Sequence, residues 1–275
     1  MFRNRKTLST LLVWLVMQFL CMLPVSLIMM PIALLAGIDD DEVRNITVLL
    51  TLLFSQIAEM IVLRLIRYFK FKEIVFPVPE FMTLSAAVIA GICLFYATDI
   101  IQAQFDIPDL LEQDMGKLTE SVWGFLTICI VGPVAEEVMM RRIILRDIWQ
   151  KSGKMWNGIL LSALIFALIH INPAQVVFAF PAGIILGWLY CASGSLIVPV
   201  IIHIINNTIS FIAIRSHSTE PSLSDPVNIA VLAACLVTGF LLVWLIASIS
   251  KKKDLYLKPD DKQETGLEQE PLIEQ

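Results

Sequence analysis

The chain has 275 residues, 57% of them hydrophobic and 16% charged, with a mean hydropathy of +0.77 and a formal charge of −5. This is too apolar for a soluble globular domain and places the chain among integral membrane proteins. The acidic excess is confined to 39–42 and the stretch after Lys253, and no basic or aromatic-basic surface interleaves the chain, so nucleic acid is excluded as an expected partner.

Stretches of about 20 apolar residues, the length that crosses a bilayer as a helix, fall at residues 11–35, 46–66, 81–101, 122–149, 156–171, 174–190, 196–214 and 227–249. The expected fold is all-α, a polytopic membrane helix bundle of about eight transmembrane helices. Pro24, Pro31 and Pro133 lie inside spans and read as kinks whose freed carbonyls neighbouring helices satisfy. The first span has a basic flank like a signal peptide, but its length and the lack of a small-x-small cleavage site predict a retained anchor. Residues 102–120, with Pro108, Leu110, Leu111 and Leu118 among acids, predict a short amphipathic helix at the outer interface. The expected organisation is three spans and this linker over 1–120, a core over 121–214, a last span over 215–250, and a disordered cytoplasmic tail over 251–275.

Lys and Arg set the orientation. Arg3, Arg5 and Lys6, then Arg64, Arg67, Lys70 and Lys72, then Arg141, Arg142, Arg146, Lys151 and Lys154, and finally Lys251–Lys253 all fall on one side if the spans number eight. The other side receives 39–42, the acidic 106–120 and the loop 215–225. Both termini are therefore expected in the cytoplasm. Trp149 and Trp156 flank the basic loop as interfacial anchors would, and His217 reads as a surface residue of an external loop. Five cysteines (Cys21, Cys93, Cys129, Cys191, Cys235) lie in or beside apolar segments without a C-x-x-C pair, so no structural disulfide is expected.

Ionisable residues inside such spans are costly and mark a site by default. Glu136-Glu137 is followed by Arg141, Phe166 by His170, and His203 by Asn207, each second residue four positions on and so on the same helix face. Glu137 can then pair with Arg141, while Glu136 points about 100° away, free to act as a general base. A purely structural ionic staple of both glutamates and Arg141 remains the alternative. His170 alone reads as an interhelical hydrogen-bonding residue. His203 and Asn207 together can donate to a developing oxyanion, or the imidazole can bind a metal that the amide orients; Asn206 faces elsewhere. Glu59 is expected to pair with Arg64 or snorkel, a structural role.

These motifs, E-E-x-x-x-R, F-x-x-x-H and H-x-x-x-N in order, resemble the CPBP intramembrane proteases, the CAAX-protease and bacteriocin-processing group that includes the Ras-converting CAAX endopeptidase. The resemblance continues through Phe178, Gly183, Gly187, Tyr190, Ser193-Gly194-Ser195 and Pro199 and covers about 121–214. It implies an intramembrane endopeptidase acting on a lipidated or membrane-embedded protein or peptide. Glu136 and His170 would activate water, His203 and Asn207 would hold the oxyanion, and Glu137, Arg141 and Phe166 would support the site. No metal is favoured; zinc held by Glu136, His170 and His203 is the alternative, against which stands the lack of an H-E-x-x-H spacing. Two rivals from other classes are a non-catalytic membrane scaffold in bacteriocin immunity or regulation, and a transporter, although no internal repeat is present. Short loops point to a bacterial inner membrane, with lipid and the peptide substrate as partners.

Depth poses one conflict. At about 1.5 Å per residue, Glu136 and His170 lie roughly 20 Å from the cytoplasmic ends of their spans and His203 only about 10 Å. Convergence requires the fourth span to end near Arg142 or the fifth and seventh to tilt, with Gly132-Pro133 as a possible kink.

Overall fold

A computed structural model of the protein describes residues 6–110, 116–216, 218 and 221–253. His217, and the expected tail from 254 onward, lie outside the described residues. The helices in order are α1 (Lys6–Ala36), α2 (Asp40–Leu65), the single turn α3 (Lys72–Val75), α4 (Phe81–Gln102), α5 (Val122–Ser152), α6 (Met155–Leu168), α7 (Pro173–Ser193), α8 (Ile197–Arg215) and α9 (Pro226–Lys253). Local chemistry sets their ends. The Asp39 carboxylate accepts the Asp41 N–H and three acids fill the first turn of α2. Ser121 caps α5 by accepting the Gly124 N–H. Gly153 and Gly194 take positive φ, 69° and 66°, to terminate α5 and α7.

Seven of these helices are long and apolar enough to cross a membrane; α6, with 14 residues, is shorter. Hydrogen bonds between loops nevertheless sort into two ends. At the basic end Thr7 binds Asp147, Arg142 binds Glu73, Ser195 donates to the Pro77 carbonyl and Ser250 to that of Ala192. At the acidic end Lys117 binds Asp41, Asn172 binds both Asp109 and the Leu110 N–H, Gln102 donates to Ala174, and Gln104 to Pro221. The segment α6–Asn172 therefore connects the two groups of contacts, and Lys6 and Ser250 lie at the same end.

Large apolar side chains on α1 (Phe19, Leu23, Leu27) and α9 (Val237, Phe240, Trp244) stay exposed, the surface that lipid covers in a membrane bundle. Inside, α5 packs against α1, α2, α6, α7 and α8. Small residues permit the closest approaches. A Cβ on Gly183 of α7 would lie 2.9 Å from Ala163 of α6.

Three expectations change. Within the stretch 102–120 expected to hold a short amphipathic helix, residues 103–110 form turns and irregular chain, 111–115 lie outside the described residues and 116–118 are helical, so the helix is confined to the later part. Pro108 lacks the N–H a helix needs, and the segment instead caps Asn172. The last helix continues to Lys253, past the expected start of the tail at 251, because nothing in its sequence breaks it. Trp149 is a core residue, packed with Ile159 and Tyr190, since α6 folds back across it; Trp156 remains exposed.

Candidate functional site

The middle of α5 departs from α-helical geometry. Residues Leu126–Val131 and Val138–Leu145 are wound as π-helix on either side of Gly132–Glu137. Pro133 has no N–H, so the turn before it cannot close regularly. Gly132 N–H reaches back to the Thr127 carbonyl, and the Ile128 carbonyl is taken instead by the side-chain amide of Asn207 at 2.9 Å. The Cys129 thiol donates in return to the Asn207 carbonyl at 3.4 Å. Asn207 thus stitches α8 to the irregular turn of α5, a task the sequence reading did not foresee.

One helical turn on, Glu137 sits at the centre of a buried chain. Arg141 Nε lies 3.1 Å from Glu137 Oε2, the pairing expected from their spacing, and both side chains are fully enclosed. The contact is an ion pair without aligned hydrogen-bond geometry, and the guanidinium nitrogens have no hydrogen-bond acceptor. The Arg141 guanidinium carbon instead stands 4.8 Å from the centre of the Phe166 ring, a cation–π contact. On its other side Glu137 Oε1 accepts from His203 Nδ1 at 2.8 Å. That bond places the proton on Nδ1 and leaves Nε2 facing Glu136 Oε2 at 3.6 Å.

Glu136 is therefore not isolated, although it lacks a partner on its own helix. It differs from Glu137 in access: its side chain is 27% exposed and that of Glu137 is 0%. His170 follows the C-terminus of α6, where Nδ1 bonds the Phe166 carbonyl at 2.7 Å and leaves Nε2 unengaged. The Phe166 ring joins the parts, edge-on to His170 at 5.0 Å and to His203 at 5.8 Å between centroids. Glu136 and His170 share no hydrogen bond or ion pair. Ile171, next in the chain, is held at φ 63°, a strained conformation for a β-branched residue. Asn206 turns its amide toward Asn207 Oδ1 at 3.5 Å rather than elsewhere.

For Glu136 and His203 the depth conflict resolves at Arg142. Its guanidinium makes two hydrogen bonds to Glu73, 3.0 and 2.9 Å, in the loop between α2 and α4, so α5 meets the basic end there and runs on to Ser152 beyond it. Glu136 is six residues before Arg142 and His203 six after Ile197, both about 9 Å deep.

Sequence reasoning also misplaced Glu59. Glu59 neither pairs with Arg64 nor snorkels; it is 2% exposed, and its Oε1 has no hydrogen-bond partner. It is six residues before the end of α2, at the depth of Glu136 and His203. The signal was present, an acid within an apolar span, but it stands outside the three motifs. Among the described residues no group of three His, Cys, Asp or Glu side chains is arranged to hold a metal ion; the bonds from Nδ1 of His203 and His170 to protein oxygens leave both Nε2 atoms turned away from those oxygens.

Residues 118–209 match the family model described as type II CAAX prenyl endopeptidase Rce1-like. The chain carries an Rce1-like segment. It starts just before α5 and ends within α8, so it contains every residue of the three motifs and agrees with the 121–214 expected from them. Over 79 residues the chain is 30% identical to the "Putative membrane peptidase YdiL" of Bacillus subtilis (strain 168), a match over 29% of this chain and 32% of that protein. The match thus spans about a third of the length of this curated relative. No solved structure matches the chain. The Rce1-like segment excludes α1, α2 and α4, which nonetheless pack against it.

Proposed function

We propose that this protein is an intramembrane endopeptidase of the CAAX-protease type, hydrolysing a peptide bond in a lipidated or membrane-embedded protein or peptide with water activated by Glu136. The single observation behind this is the division between the two adjacent glutamates. Glu137 is enclosed by Arg141 and His203, whereas Glu136 presents an accessible carboxylate beside an imidazole nitrogen. The Rce1-like segment and the likeness to a membrane peptidase support the same reading.

In the proposed reaction Glu136 accepts a proton from water as the water oxygen bonds to the scissile carbonyl carbon. His170 Nε2, freed by the bond from Nδ1 to Phe166, accepts the second water hydrogen and aims the lone pair. The carbonyl π electrons move to oxygen, and the resulting oxyanion meets the second, uncommitted amide N–H of Asn207 and the edge of the His203 ring. Collapse breaks the C–N bond, and Glu136 returns its proton to the leaving amine. The buried Arg141–Glu137 pair holds His203 in register. No metal takes part in this scheme.

We place both termini in the cytoplasm of a bacterial inner membrane, with the site opening toward the basic, cytoplasmic end. The test is cleavage of a farnesylated CAAX-terminated peptide by the purified, detergent-solubilised chain, compared with Glu136→Ala and repeated with a chelator. Cleavage that Glu136→Ala abolishes and the chelator spares is expected. Equal products from both proteins would remove the enzymatic reading, and stoichiometric zinc lost together with activity would remove the metal-free one.

A further inference from the structure

The three N-terminal spans lie outside the Rce1-like segment, yet α2 turns two polar side chains toward its centre. Gln56 and Glu59, three apart and so on one face, lie where α2 packs on α5. A Cβ on Gly132 would come within 3.2 Å of the Gln56 amide, which places that face four residues before Glu136. Both Gln56 Oε1 and Glu59 Oε1 are buried without a hydrogen-bond partner. Glu59 follows Gln56 by three residues and Glu136 follows Gly132 by four, so each carboxyl stands about one turn beyond that contact, roughly 9 Å from the basic end.

An unpartnered carboxyl this deep is expensive. The described groups around it supply no cation of its own: Arg141 is paired with Glu137, and His203 lies between Glu137 and Glu136. Three carboxyls thus face one guanidinium and one imidazole. A proton held between two of them removes one charge and provides the missing hydrogen bond, a known solution for adjacent carboxyls in an apolar site.

We propose that Glu59 is a positioning residue for Glu136, the two carboxyls sharing one hydrogen that fixes the Glu136 carboxylate toward the attacking water. This rests on the endopeptidase reading for its consequence and on the packing of α2 for its geometry. Glu59 touches neither substrate nor water in this scheme; it acts through Glu136. Its retention costs stability, which separates it from a structural ion partner.

The experiment uses the full chain in detergent, with Glu59→Leu, Glu59→Gln and, as control, Glu136→Gln, and the farnesylated CAAX peptide as probe. Glu59→Leu is expected to melt no lower than the unaltered protein while kcat falls about 100-fold at unchanged KM. Glu59→Gln, which keeps an N–H to give to Glu136, recovers most of that turnover. Infrared difference spectra should show a protonated-carboxyl C=O stretch in the unaltered protein that Glu59→Gln removes. A missing band, a band that survives Glu59→Gln, a lowered melting temperature in Glu59→Leu, an unchanged kcat, or no recovery in Glu59→Gln each overturns the assignment. If the unaltered chain and Glu136→Gln both fail to cleave, the endopeptidase reading falls by itself, and the infrared band and the melting temperature still decide on Glu59.

Discussion

Glu136 and Glu137 are adjacent in sequence and differ in what replacing them exposes. Glu136→Gln keeps the volume and removes a proton acceptor, so turnover should fall about a hundred- to ten-thousand-fold with the melting temperature unchanged. Glu137→Gln strips the enclosed Arg141 of its counter-charge, a change costing about 3–5 kcal/mol, and leaves His203 Nδ1 a neutral amide oxygen in place of a carboxylate. Thermal unfolding should register that loss. The double change Glu137→Gln with Arg141→Met should restore stability but not turnover, because His203 still lacks its carboxylate partner. A stable, inactive Glu137→Gln beside an active Glu136→Gln would reverse the roles. Asn207 admits a separate test. Its amide closes the Ile128 carbonyl that Pro133 leaves open, so Asn207→Leu should destabilise by about 1–3 kcal/mol in addition to any kinetic effect. An unchanged melting temperature would limit Asn207 to the reaction.

At the scale of elements, the irregular winding of α5 and the short α6 bring distant residues to one level. The loop holding Glu73 fixes where α5 meets the basic end, and this link responds to acid. Burial pushes the Glu73 carboxyl up, but its hydrogen bonds to Arg142 and the guanidinium charge outweigh that and hold it below the ordinary carboxylate range. A carboxyl lowered by folding adds stability above its unfolded pKa and loses it as pH falls through the folded value. The melting temperature of the unaltered chain should therefore exceed that of Glu73→Gln at neutral pH, and the two curves should converge as the pH drops below the usual carboxylate range. Curves that stay parallel would show that the link contributes nothing.

For the whole molecule, the segregation of loop contacts into a basic and an acidic end makes the expected count of eight passages testable as a unit. Reporters fused before Met1 and after Gln275 should score on the same side, and that side should be the cytoplasm. One reporter on each side would mean that α6 and its turn do not complete a passage.

Much of this was legible in sequence because the bilayer makes few demands and makes them strongly. Apolar length identifies helices, the distribution of Lys and Arg identifies ends, and a four-residue spacing identifies the Glu137–Arg141 face. The site residues stood out since ions and imidazoles in apolar spans are rare. Sequence spacing says nothing, however, about which faces of separate helices meet. Only the packed bundle set His203 between Glu136 and Glu137, gave Asn207 a carbonyl on α5 to close, put Trp149 in the core and turned Glu59 inward. Each of these depends on the rotation and depth of one helix against another, which side-chain volume, the close approach at Gly183, and the π-helical winding around Pro133 decide together.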